Sequence, residues 1–121
     1  MDTNLKRGVE LIKQVDNSTA IVFLLKALKK DPSNPEIFRH LGLAYFNLGN
    51  FDEALLHWKK AIELDPTHHQ TIWSLGNLHE IEHRYDEAYQ CYSQAAEIAK
   101  QGSYPKKAER YREWAARIKR K

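Results

Sequence analysis

The amino-acid sequence predicts an all-α fold built from repeated helical hairpins, and three observations predict it. Gly8, Gly42 and Gly76, Ala20, Ala54 and Ala88, and Ala27, Ala61 and Ala95 share one register with a period of 34 residues. Larger residues keep the same period: Asp31-Pro32 answers Asp65-Pro66, Leu11 answers Tyr45 and His79, and Leu24 answers Trp58 and Tyr92. Small residues at positions 8, 20 and 27 of each unit suit the crossing of two antiparallel helices, because Gly and Ala admit close backbone approach while larger partners fill the space around them. Beyond the third unit, Ala108, Tyr111, Ala115 and Ile118 make one apolar stripe at helical spacing, which predicts a seventh helix.

Each unit therefore reads as helix A, a short turn and helix B. In the first unit, helix A carries Thr3, Arg7, Glu10 and Gln14 on one stripe. That polar stripe is expected of a terminal repeat with no neighbour to cover it. Helix B of this unit, Ala20 to Leu28, is apolar nearly all round, and a helix of that kind is normally covered on every face. Val22 and Leu25 stand where the middle unit has Leu56 and Lys59, so they are candidates for self-association or for contact with a partner.

In the middle unit the stripe becomes Ile37, Leu41, Ala44 and Leu48, expected to meet the preceding unit. Gly49-Asn50 separates its two helices, and Asp52-Glu53 places acids at the positive end of helix B. Asp65-Pro66 stops that helix, since the residue before proline is pushed out of the helical region. In the third unit His83 takes the turn position of Gly49, and His visits the left-handed region more than most residues. His68-His69 reads as the inter-repeat turn. Gly102 is expected to close helix B, Ser103 to cap the seventh helix, and Pro105 to occupy its first turn.

Phe38, Leu41, Gly42, Tyr45, Ala54, Trp58, Ala61 and Pro66 together resemble the tetratricopeptide repeat pattern: aromatic-x-x-Leu-Gly-x-x-Tyr, then Ala, an aromatic, Ala and Pro at fixed offsets. The third unit keeps Leu75, Gly76, Ala88, Tyr92 and Ala95, but has Ile72, His79 and Lys100 where the aromatic, Tyr and Pro belong. The first has Asn4 and Arg7 in place of the aromatic and the Leu. The resemblance covers 1–102, divided as 1–34, 35–68 and 69–102, and implies a right-handed superhelix with 103–121 as its C-terminal capping helix.

The resemblance also implies a binding surface. Helix A positions 2, 5, 9, 12 and 13 line the concave face in this family. Here they are Asp2, Leu5, Val9, Ile12 and Lys13, then Glu36, Arg39, Leu43, Phe46 and Asn47, then Gln70, Trp73, Asn77, Glu80 and Ile81. Leu5, Val9, Ile12, Leu43, Phe46 and Trp73 give this face an apolar strip, with Arg39, Asn47 and Asn77 as its polar companions. Such a strip on a solvent-facing surface signals a protein or peptide partner. Trp73 is expected to lie outside the core, unless the seventh helix folds over the groove. Chaperone-tail clamps in this family use Lys and Asn, then Asn, then Lys and Arg. At the matching positions stand Leu5 and Val9, His40, and Gln70 and Ser74, so no carboxylate clamp is implied.

The remaining signals restrict the function. The net charge of +3 divides unevenly: residues 100–121 hold nine Lys or Arg against Glu109 and Glu113, while residues 1–99 hold ten against fourteen acids. The basic final helix offers the alternative reading, an electrostatic binder of nucleic acid or anionic membrane, although a solvated outer face explains the same charges. His79-Glu80-Ile81-Glu82-His83 matches the H-E-x-x-H zinc motif. Its His79 falls at a core position and His83 in a turn, and no third ligand follows, so neither catalytic metal nor any cofactor is expected. No phosphate-cradling Gly loop, nucleophile elbow or paired-carboxylate constellation appears, and an enzyme is not expected. Cys91 is a lone cysteine, read as an ordinary helix-B residue that suits a reducing compartment. The absence of a long apolar run or of a basic and apolar leader leads to a cytoplasmic expectation.

Overall fold

Seven α-helices make up a computed structural model that describes residues 2–120, and no strand occurs among those residues. They are α1 (Thr3–Lys13), α2 (Asn17–Lys30), α3 (Pro35–Asn47), α4 (Phe51–Leu64), α5 (His69–Ile81), α6 (Tyr85–Gln101) and α7 (Pro105–Lys119). Packing divides the chain into two units, Met1–Asp65 with α1 to α4 and Pro66–Lys121 with α5 to α7.

Local chemistry starts most of these helices. Asp2 accepts from the backbone N–H of Asn4 at 2.8 Å, Asn34 from Glu36 at 2.9 Å, and Asn50 from Glu53 at 3.4 Å, each satisfying a donor that the first helical turn leaves without a partner. Pro35 and Pro105 open α3 and α7, where their missing N–H costs nothing. His68 is more than a turn residue. It is the N-cap of α5, its Nδ1 accepting from the Thr71 N–H at 3.3 Å, and His69 is already helical.

The A-to-B turns repeat one device. Val15, Gly49 and His83 occupy the same repeat position, with φ of 63°, 78° and 62°. Behind each, the next N–H reaches back five residues: Asp16 to Leu11 at 2.7 Å, Asn50 to Tyr45 at 2.9 Å and Arg84 to His79 at 2.8 Å. This left-handed closure satisfies carbonyls that the last turn of helix A would otherwise leave bare. The same closure ends α6, where Ser103 takes φ of 65° and Tyr104 N–H bonds Ala99 at 2.8 Å. The capping role expected of Ser103 is thereby corrected. Gly102 is the C-cap of α6 as expected, though at φ of −84°, Ser103 supplies the left-handed residue after it, and Tyr104 becomes the N-cap of α7 with no side-chain hydrogen bond.

Helix A meets helix B where the period places its small residues. A β-carbon at Gly42 would overlap the Trp58 indole, and one at Gly8 or Gly76 would come within 2.7 Å of Leu24 or 2.8 Å of Tyr92. In the first unit Leu5, Leu24, Ala27, Ile37 and Leu41 form a buried cluster flanked by Val9, Ile12, Ile21, Leu28 and Tyr45. Ile37, Leu41 and Ala44 are buried as their stripe requires, but Leu48 is exposed because α3 ends there. Thr3, Arg7, Glu10 and Gln14 are all exposed. In the second unit Ala88 and Tyr92 pack with Ala115 and Ile118 of α7, and Trp73, Tyr85, Tyr89 and Trp114 surround them. The α7 stripe of Ala108, Tyr111, Ala115 and Ile118 is buried throughout.

Candidate interaction surfaces

The first unit brings α1 against α3. On these helices Leu43 is 37% exposed, and Val9, Ile12 and Phe46 are half-buried. Phe46 is held by aromatic neighbours, its ring centroid 5.4 Å from Phe51 and 5.5 Å from Trp58. Leu5 is corrected: at 1% exposure it belongs to the core cluster, because its side chain fills the space between Leu24 and the second repeat's Ile37 and Leu41.

Two polar companions of this strip, Arg39 and Asn47, are engaged within the chain. Arg39 has an Nη1 3.6 Å from an Asp65 carboxylate oxygen, and its backbone carbonyl accepts from Trp58 Nε1 at 3.1 Å. The carboxylate beside Arg39 is thus the chain's own. Asn47 is exposed and donates to buried Asn17 at 3.1 Å. His40 lies 3.7 Å from Glu36, whose charge favours the imidazolium; burial outweighs it and holds the His40 pKa below its ordinary value.

In the second unit α7 packs against α5 residues that were expected to line the groove. Trp114 meets Trp73 edge-on at 5.9 Å, so Trp73 is half-buried in the α5–α7 packing and is not a free groove residue. Glu80, another groove position, accepts from Arg117 Nη2 and from the Tyr92 hydroxyl, both at 2.8 Å. Asn77 remains half-exposed on the same helix. Above them a 460 Å³ pocket opens between α5 and α7, lined by Gln70, Trp73, Ser74, Lys107, Arg110, Tyr111 and Trp114. Sequence reasoning passed over its α7 wall, although Lys107, Arg110, Tyr111 and Trp114 follow the i, i+3, i+4, i+7 spacing of one helical face.

The zinc-like segment is pulled apart. His79 is buried in α5, Glu80 is committed to Tyr92 and Arg117, and His83 stands in the turn with its Nδ1 2.8 Å from the Tyr85 hydroxyl. Among the described residues no group of three His, Cys, Asp or Glu could hold a metal ion, and no helix is long and apolar enough to cross a membrane. Val22 and Leu25 are 49% and 41% exposed on α2. On α7, Lys106, Arg110, Arg112 and Lys119 are exposed, as is Arg120 at its C-cap.

The paired helices, glycine crossings and repeated left-handed turns define a helical repeat protein. Models of the tetratricopeptide repeat match residues 8–49, 35–68 and 69–101, and the chain belongs to the tetratricopeptide repeat family. It is similar to Superkiller complex protein 3 of Mus musculus, 33% identical over 88 residues, which are 73% of this chain and 6% of that protein. The chain therefore spans only a small part of that relative. Its fold is similar to PcrH, solved in complex with the chaperone binding region of PopD, with a TM-score of 0.89 at 15% identity over 96% of this chain and 88% of that one. It is also similar to the second TPR of Spaghetti (RPAP3), solved bound to an HSP90 peptide, with a TM-score of 0.75 at 20% identity over 79% of this chain and 89% of that one.

Proposed function

We propose that this protein is a non-catalytic interaction module that holds an apolar peptide or helix segment of a partner protein against the α1–α3 face of its first two repeats. One observation carries the reading: Leu43 is exposed on α3, a helix that packs against α1, while Val9 and Ile12 of α1 and Phe46 of α3 are half-buried. Leu43 is the anchor, Val9, Ile12 and Phe46 shape the surface around it, and Asn47 supplies a polar edge. Apolar side chains that face solvent together lose that exposure when a partner binds, and burial of such area favours association. The PopD region and the HSP90 peptide held by proteins of this fold support binding of a partner segment as the general mode.

Selection from a random peptide library on the immobilised protein tests the proposal, followed by fluorescence polarisation on wild type and Leu43→Asp. We expect the selected peptides to share spaced apolar residues and Leu43→Asp to weaken them at least tenfold, a loss of about 1.4 kcal/mol. Because Leu43 lies outside the core, melting should be unchanged. Peptides that bind wild type and Leu43→Asp equally would overturn it.

A further inference from the structure

Helix α2 turns to solvent a seam that its counterparts in the other two repeats do not share. Ser18, Val22, Leu25 and Lys29 follow one another at intervals of four, three and four residues, and all four are exposed. That spacing is the seam along which two helices pair. On α4 the corresponding residues are Asp52, Leu56, Lys59 and Glu63, and on α6 they are Asp86, Gln90, Ser93 and Glu97. Packing within a hairpin therefore does not call for two successive apolar residues here, and Val22 and Leu25, 49% and 41% exposed, are surplus to it. The charges of α2 are unevenly placed. Lys26, Lys29 and Lys30 occupy its C-terminal half, and no acid occurs between Asn17 and Lys30. Exposed Asp16 stands at the other end as the N-cap, one carboxylate oxygen accepting from the Thr19 N–H at 3.3 Å. Lys26 lies over the Phe23 ring of its own helix, 5.3 Å from the centroid.

We infer that this seam is the contact surface of a homodimer in which two α2 helices pair antiparallel, across a two-fold axis midway between Val22 and Leu25. Val22 then meets the partner's Leu25, Ser18 meets the partner's Lys29, and Lys30 comes beside the partner's Asp16. The charges select this arrangement. Paired in parallel, the three lysines of one helix would face the same three of the other, and juxtaposed like charges oppose association. Antiparallel pairing moves the basic end of each helix to the acidic cap of the other and sets the positive end of one helix dipole beside the negative end of its neighbour. The surface is complementary to itself, as an isologous two-fold contact requires, and such a contact closes at two copies. Two apolar side chains from each copy bury less than the ~800 Å² per partner of a standard interface, so the dimer is weak and concentration-dependent. The seam lies within Met1–Asp65 and does not include Leu43, so neither reading depends on the other.

Sedimentation equilibrium of the full chain from about 10 µM to about 1 mM tests the dimer, since mass action reveals a weak association only across such a range. We expect a monomer–dimer equilibrium that Leu25→Asp weakens at least tenfold, a burial effect, and that Lys30→Glu weakens about fivefold, the scale of an exposed ion pair. Leu43→Asp should leave it unchanged, which separates the two surfaces. Leu25→Asp should melt as wild type does, because Leu25 is exposed. Orientation is read by disulfide trapping with oxidised glutathione in a Cys91→Ala background. A mixture of Ser18→Cys and Lys29→Cys chains should form the mixed disulfide, whereas Ser18→Cys alone should not. The antiparallel pair holds its two copies of position 18 about 16 Å apart along the axis, beyond the roughly 7 Å between α-carbons that a disulfide spans. A monomer throughout the range, association beyond two copies, or a dimer indifferent to Leu25→Asp or to Lys30→Glu overturns the proposal. So does trapping of Ser18→Cys with itself in preference to the mixture.

Discussion

Arg117 on α7 and Tyr92 on α6 both donate to one carboxylate oxygen of Glu80 on α5, each at 2.8 Å. The three helices of the second unit thus meet on a single atom. Burial and the Glu80 carboxylate together push the Tyr92 hydroxyl far above its ordinary pKa, so it remains a donor at every physiological pH.

Removing Glu80 should therefore cost more than removing either donor. Glu80→Ala leaves the hydroxyl of fully buried Tyr92 without its acceptor, and we expect a loss of about 1–3 kcal/mol in urea unfolding. The Arg117 side chain is 41% exposed, so Arg117→Ala should cost less than about 1 kcal/mol. Equal losses for the two variants would show that the oxygen is not the shared centre of this packing.

Gly42→Ala places a methyl group against the Trp58 indole, and overpacking of this kind costs about 1–3 kcal/mol. The clash involves one partner, so it can be separated from any general effect on α3. In a Trp58→Leu background the same substitution should cost measurably less, read as a coupling energy from a double-mutant cycle.

Val15 is 80% exposed and holds φ of 63°, a conformation that a β-branched residue adopts only at a cost. Its counterpart one repeat on is Gly49, at φ of 78°. Val15→Gly should stabilise the protein by about 1 kcal/mol, since relief of left-handed strain outweighs the greater freedom of Gly in the unfolded chain. Thermal unfolding at neutral pH reads the change directly.

Acid should weaken the fold below neutrality. His40 is held below its ordinary pKa chiefly by burial, and His69 by burial and by Lys107. Below about pH 6.5 the unfolded chain takes up these protons more readily than the folded one, so stability is lost as pH falls from there through the folded values. Melting temperatures at pH 7.5, 6.5 and 5.5 should decline in that order, and His40→Gln/His69→Gln should flatten the decline.

The 34-residue period was enough to place helix A, helix B and their turns, because a repeated Gly or Ala marks where backbones cross whatever the neighbouring unit contains. His83 in its left-handed turn, the exposed polar stripe from Thr3 to Gln14 and the buried stripe of α7 follow from local chemistry and helical spacing alone. The surfaces were less legible. Leu5 and Leu43 are the same residue type at neighbouring groove positions, yet Leu5 is core and Leu43 is exposed. Only packing against Leu24, Ile37 and Leu41 distinguishes them. Trp73 was expected in the groove, and its edge-on contact with Trp114 was not legible, because the period does not extend into α7 to say which face it turns toward α5. Local residue chemistry decides where a helix starts, stops and crosses its hairpin partner. Which of its apolar side chains stay in water is decided by non-local neighbours, and that selection required the tertiary structure.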